Sequence, residues 1–180
     1  MRYYLSLFFS AIFIISLQAQ VAEVTPPDAL LIRLQSKQRN IEALKESGRI
    51  EKAQELQERQ EEENAAILKS VRANFDFVPV YFFYAKNSEE VRQGNFEGVI
   101  FDKEMNKVSL PASSKVLVAE FSETPQLDIK GLILLGQDLQ PLESPFPKVI
   151  RRYRFFSLIE ASKSKMIAEL DQRLEKIYEK

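Results

Sequence analysis

The chain has 180 residues, with 25 Lys and Arg against 26 Asp and Glu, five glycines, and neither cysteine nor histidine. A near-neutral balance argues against bulk nucleic-acid binding, which needs a basic footprint. Without Cys and His there are no disulfides, no thiolate nucleophile and no imidazole base; any metal would be a hard cation held by carboxylates, and no cofactor is expected.

Met1 to Ala19 reads as a secretory leader. Arg2 supplies the positive start. Tyr3 to Leu17 supplies an apolar stretch of about 15 residues, interrupted only by Ser6, Ser10 and Ser16, and Leu17-Gln18-Ala19 offers the small residue at the cut. The expected new N-terminus is Gln20, and the expected location is periplasmic or secreted. The competing reading is an uncleaved anchor, but the apolar stretch is shorter than the ~20 residues that span a bilayer. No stable membrane insertion is expected after cleavage. A lipid anchor is ruled out, because there is no cysteine to carry it. Loss of the leader removes Arg2 and takes the formal net charge from −1 to −2. What remains suits one domain large enough to bury a core.

Residues 20–27 read as a linker. Pro26-Pro27-Asp28 then opens a helical region, with proline and an acid near the positive helix end. Leu30, Leu31, Leu34, Ile41 and Leu44 recur at helical steps, and Ser47-Gly48 interrupts them. A second stripe follows through Ile50, Ala53, Leu56, Gln60, Asn64, Ile67 and Val71. The spacing predicts helices over 28–46 and 49–73, paired as a helical hairpin. The alternative is one long helix kinked at Gly48, exposed as a coiled-coil arm; the polar Gln60 and Asn64 weaken a dry seam there. Gly48 to Leu56 resembles the loop and second-helix start of a tetratricopeptide unit, but no repeat follows. The run Glu51 to Glu63 reads as a solvated face laced with i,i+4 pairs through Glu55, Arg59 and Glu63, or as an acidic interaction arm.

From Asn74 the pattern changes, and 74–180 reads as an α+β region forming one unit with the hairpin. Val80 to Tyr84 is aromatic and β-branched on both faces, so it predicts a buried strand beginning after Pro79. Asn87 with Glu90 suggests a capped short helix stopped by Gly94. Gly98 to Phe101, Lys115 to Phe121 and Gly131 to Leu135 predict three more strands, and Lys148 to Phe156 a fifth. Met166, Ile167, Leu170, Leu174 and Ile177 predict a last amphipathic helix over about 158–178. Residues 98–107 and 131–140 echo each other: an apolar strand, a polar turn with an acid, then one apolar residue. They read as two arms of one site or as two turns obeying the same local rules.

Several side chains could carry chemistry. Asp102, Glu104, Asp128 and Asp138 fall at or near strand ends, and a converging pair could serve a glycan hydrolase; acids are also common in turns for local hydrogen bonding. Ser113-Ser114-Lys115 holds the residue types of a Ser-Lys hydrolase without the Ser-x-x-Lys spacing, and Ser162-Lys163-Ser164-Lys165 is similarly suggestive and similarly weak. Ser144-Pro145-Phe146-Pro147 lacks the glycines of a nucleophile elbow. Lys148, Arg151, Arg152 and Arg154 form the one concentrated basic patch, with Tyr153, Phe155 and Phe156 beside it. It is a candidate anion-binding site, for a glycan, a lipid headgroup or an acidic partner, or a set of partners for the Glu-rich helix.

Asn74-Phe75-Asp76-Phe77, Val80 to Tyr84, Gly94 to Val99 and Leu142-Glu143-Ser144-Pro145-Phe146-Pro147 together resemble a family of uncharacterised exported proteins of Bacteroidota. The Ala19-Gln20 junction resembles leaders common in that group. The resemblance implies export and a shared fold, and it carries no activity or site residue to any position.

The expected fold is therefore α+β: an N-terminal helical hairpin and a C-terminal helix packed on one small sheet of four or five strands, mixed or antiparallel. The expected core is Val80, Phe82, Val99, Phe101, Val116, Val118, Phe121, Ile133, Leu135, Leu170 and Leu174. The leading functional expectation is a non-enzymatic exported binding or structural protein that meets another envelope protein through an apolar patch on 28–73. The alternatives are a carboxylate-based hydrolase of an envelope glycan and a peripheral anion or lipid binder.

Overall fold

The computed structural model describes residues 25–123, 130–152 and 161–179. The leader (1–19), residues 20–24 of the linker, Asp128, Arg154 and the aromatic end of the expected fifth strand lie outside the described residues.

The protein is α+β, as expected, but its sheet is larger. Among the described residues seven strands run β1 (Ala29–Leu34), β2 (Val80–Tyr84), β3 (Ile100–Phe101), β4 (Lys107–Val108), β5 (Val116–Glu123), β6 (Lys130–Leu135) and β7 (Val149–Arg151). Their spatial order is β4-β3-β2-β1-β5-β6-β7. The sheet is mixed: β1 is parallel to both β2 and β5, and the outer strands pair antiparallel.

The main correction concerns residues 28–46. Ala29–Leu34 is the central strand of the sheet and no part of a helix. Leu30, Ile32 and Leu34 enter one core while Ala29 and Leu31 enter the other, and all five are fully buried. A strand buried on both faces is apolar at every position, so its leucines also satisfy helical spacing. Asp28, expected at a helix start, instead opens the β1–β5 pairing. Its amide donates to the Lys115 carbonyl at 2.8 Å, and its carboxylate accepts from the Lys115 amide at 2.7 Å.

The expected hairpin is thus a short helix α1 (Gln38–Glu46) and a long helix α2 (Ile50–Asn74), in contact across a tight turn. Gly48 takes the left-handed φ of 74° that this turn requires. The exposed side of α2 is laced by Gln54–Glu58 and Gln57–Glu61 hydrogen bonds, amide to carboxylate, in place of the expected pairs through Arg59. A short α3 (Ser88–Arg92) follows β2 and stops at Gly94, with φ 74°. The last helix, α4 (Lys163–Tyr178), starts at Ser162.

Helices α2 and α4 pack on each other and cover one face of the sheet, where Ile67, Val71, Met166, Ile167, Leu170 and Leu174 meet Leu30, Ile32, Phe82 and Leu132. Asp171 of α4 fixes the chain just past α2, accepting from the amides of Asp76 and Phe77 at 3.0 Å each. The second face is covered more thinly, by Val91 of α3 and by Phe96, Leu110 and Leu139 from connecting segments. Most of the expected core is buried, although Val99, Phe101 and Phe121 are only half-buried.

The echoed segments are the same turn. The Asp102 amide donates to the Asn106 carbonyl and the Gly136 amide to the Gln140 carbonyl, both at 2.9 Å. Met105 and Leu139 both hold a left-handed φ, of 66° and 61°. Each spends that strained backbone to point an apolar side chain at a core, Met105 at one face and Leu139 at the other.

Candidate functional site

The carboxyl ends of the parallel neighbours β1 and β5 open onto a cavity of about 870 Å³. From β1 the chain leaves toward β2, and β5, on the other side of β1, pairs in turn with β6. Ligand crevices in open sheets lie beyond the carboxyl ends of strands at such a switch point.

The walls are polar because each element changes character as it leaves the core. The apolar run of β1 ends in Arg33, Leu34, Gln35, and then Lys37. Helix α2 contributes Gln60, Glu63 and Asn64, on the stripe that carries Ile67 lower down. The β5–β6 pair gives Phe121, Ser122, Lys130 and Gly131, and the end of β7 and the start of α4 give Arg152, Ser162 and Lys163. Five of these residues are Lys or Arg and one, Glu63, is an acid, among the described residues.

Several of the cations are set with care. Arg33 pairs with Glu120 of the adjacent strand at 2.9 Å, with both side chains largely buried. Lys163 lies over the Phe121 ring, its Nζ 6.0 Å from the centroid. The Arg152 amide donates to the Lys130 carbonyl at 2.8 Å, so these two residues stand side by side across β6 and the end of β7. Lys37 sits at the N-terminal boundary of α1 with φ 47°, and its side chain does not cap the helix. A left-handed non-glycine residue costs about 1–2 kcal/mol, and this one puts a lysine on the cavity wall.

The start of α4 faces the cavity as well. Ser162 caps it, accepting from the Lys165 amide at 3.3 Å. The first turn of a helix carries partial positive charge and normally favours acids. Here it has none, and Lys163 and Lys165 stand there. The lysine charge and the helix end therefore add, as in an anion site.

The floor is a relay from α2. Gln60 Nε2 donates to Asn64 Oδ1 at 3.2 Å, and Asn64 Nδ2 donates to the Gln35 carbonyl at 2.8 Å. Gln60 is 5 % exposed, and its buried Oε1 has no hydrogen-bond partner among the described residues.

The acids singled out in the sequence stand elsewhere. Asp102 and Glu104 share the β3–β4 turn, where Asp102 accepts from the Glu104 amide and from the Asn106 amide and side chain. Burial pushes the Asp102 carboxyl upward, but those hydrogen bonds and the nearby Arg72 charge outweigh it and hold the group below its ordinary value. Asp138 lies in the turn after β6, accepting from the Gln140 amide. The Asp102 turn is tied to α2 by a hydrogen bond from Arg72 to the Lys103 carbonyl. The Asp138 turn is tied to α3 by Gln137, on the other face, with three strands between. Asp102 and Asp138 therefore do not meet in one cleft.

Of the basic patch, Arg152 lines the cavity; Lys148 and Arg151 are exposed outside its wall. The serines of the Ser–Lys stretches do structural work. Ser114 is buried in a turn, Ser162 caps α4, and the Ser164 hydroxyl donates to Ser70 Oγ at 3.2 Å. Among the described residues no group of acids could hold a metal ion, and no helix is long and apolar enough to cross a membrane.

Arg33, Lys37, Lys130 and Lys163 carry no local motif, since the fold alone gathers them. Two signals were available: the polar Gln60 and Asn64 in an otherwise apolar stripe, and lysines in the first turn of α4. No protein-family model, curated protein or solved structure matches the chain.

Proposed function

We propose that the chain is an exported, non-enzymatic binding protein whose cleft holds a small anionic ligand. Export rests on the leader at Met1 to Ala19. The observation that carries the binding reading is that Lys37, Lys130, Arg152 and Lys163, besides the ion-paired Arg33, line one cavity beside a helix start that itself bears lysines. The volume of about 870 Å³ lies within the ~300–1,000 Å³ usual for small-molecule sites.

Binding is favoured over hydrolysis because Asp102 and Asp138 are engaged in separate turns on opposite faces. It is favoured over an apolar docking surface on 28–73 because Ile50 is the one large apolar side chain exposed among the described residues.

Thermal melting against a set of small molecules tests the proposal. Phosphate esters and sugar acids should raise Tm by mass action, and added salt should shrink the effect. Neutral sugars and amines should do nothing. A Tm indifferent to every anion at millimolar concentration would remove the proposal.

A further inference from the structure

We infer that the ligand of this cleft is an acid with an apolar body, a carboxylate or phosphate borne on an alkyl or aryl skeleton. The inference rests on the anion-binding reading and adds to it the character of the cavity floor.

The lining is layered by polarity. Lys37, Lys130 and Arg152 are exposed, so charge stands at the rim. Ile67 and Met166 also line the cavity and are buried, and Phe121 and Ala161 are half-buried. These apolar side chains belong together: Phe121 and Ala161 pack against the main core cluster, of which Ile67 and Met166 are members. The cleft therefore cuts down to the end of the main core. The amides on the floor do not change this. Gln60 and Asn64 hydrogen-bond to each other and to the Gln35 carbonyl, and the remaining Gln60 oxygen is buried.

Charge and apolar surface meet at Lys163. Its ammonium lies over the Phe121 ring, with Nζ 6.0 Å from the centroid. An anionic group paired with Lys163 thus brings the carbon that bears it beside the ring. A polyol body there would give up its water for few new hydrogen bonds, whereas an alkyl or aryl body gains by leaving water. Small-molecule sites are commonly built this way, with apolar walls and a few polar groups that set orientation.

Calorimetric titrations of the purified protein test this with two sets of acids. Butanoate, hexanoate and octanoate carry one charge on lengthening apolar bodies. Cyclohexanecarboxylate and glucuronate carry it on an apolar and a hydroxylated ring. Affinity should rise about two- to fourfold per added methylene that reaches the floor, with an increasingly negative heat-capacity change. Cyclohexanecarboxylate should bind more tightly than glucuronate. Phe121→Ser should flatten the dependence on chain length, whereas Lys163→Gln should weaken every acid by a similar factor.

Affinities that are flat along the chain series, with glucuronate at least as tight as cyclohexanecarboxylate, would overturn the inference and leave the anion-binding reading standing. Failure of all five acids to bind would overturn both. So would hexanol binding as tightly as hexanoate, since the charge would then play no part. An undiminished chain-length dependence in Phe121→Ser would overturn the placement of the apolar body on that ring. If that variant does not fold, the unaltered protein alone still decides the other outcomes.

Discussion

Asn64 donates its side-chain amide to the Gln35 carbonyl at 2.8 Å, tying the middle of α2 to the residue just past β1. The contact spans the cavity floor and holds two of its walls in register. Asn64→Leu would leave the Gln35 oxygen and the Gln60 amide without their partner. The expected cost is about 1–3 kcal/mol in urea denaturation, the usual penalty for buried polar groups left unpaired. Adding Gln60→Leu should recover part of it, because the second orphan goes with it. A cost within ~0.5 kcal/mol, the range of ordinary surface substitutions, would mean that the relay is not structural.

Lys37 should trade stability for binding. Asparagine accepts left-handed backbone and is among the best N-terminal helix residues. Lys37→Asn is therefore expected to raise stability by about 0.5–1 kcal/mol while weakening anion binding. Such opposition is usual where a strained residue serves a site. Unchanged affinity in this variant would take Lys37 out of the site.

Gly131 holds β6 against β7. A Cβ there would collide with the Ile150 carbonyl oxygen, a backbone atom that cannot turn aside. Gly131→Ala should destabilise the fold by about 1–3 kcal/mol, the range for overpacking. It should also weaken binding, because Lys130 and Arg152 meet across this same strand pair. Unaltered melting would show that the strands have room to separate.

Asp102 supplies a pH test. Its carboxyl is held below its ordinary value in the folded protein. A depressed folded value means that the ionised form stabilises the turn at pH above the unfolded value, about 3.9 for Asp. That contribution fades as pH falls through the lower folded value. Urea midpoints measured from pH 6 down to pH 2 should show the unaltered protein ahead of Asp102→Asn at pH 6. The lead should shrink on acidification. A constant difference across the range would disprove the linkage.

The elements with a single buried face were legible in the sequence. Helix α4 announced itself through Met166, Ile167, Leu170 and Leu174, all buried against the sheet. Strand β1 was not, because a strand buried on both faces shows no alternation and its leucines fit a helix equally well. That misreading hid the parallel core, and with it the carboxyl-end crevice where the cavity lies. The strands β3 and β4, of two residues each, are too short for any periodicity to show. The site was hidden for a different reason. Arg33, Lys37, Lys130 and Lys163 come from four elements, and a cluster in sequence such as Lys148 to Arg154 draws attention that one in space cannot. Of that cluster only Arg152 reaches the cavity among the described residues. Gln60 and Asn64 were visible as polar breaks in the α2 stripe, and their burial now explains those breaks as the cavity floor.

The central claim is that an anion sits in the cleft. Nuclear magnetic resonance of the labelled protein, titrated with glycerol 3-phosphate, tests it most directly. Amide shifts should concentrate at Gln35 and Lys37, at Gly131, and at Ser162 to Lys165 in the first turn of α4. Shifts confined to Lys148 and Arg151 on the exposed strand, or no shifts at saturating ligand, would contradict it.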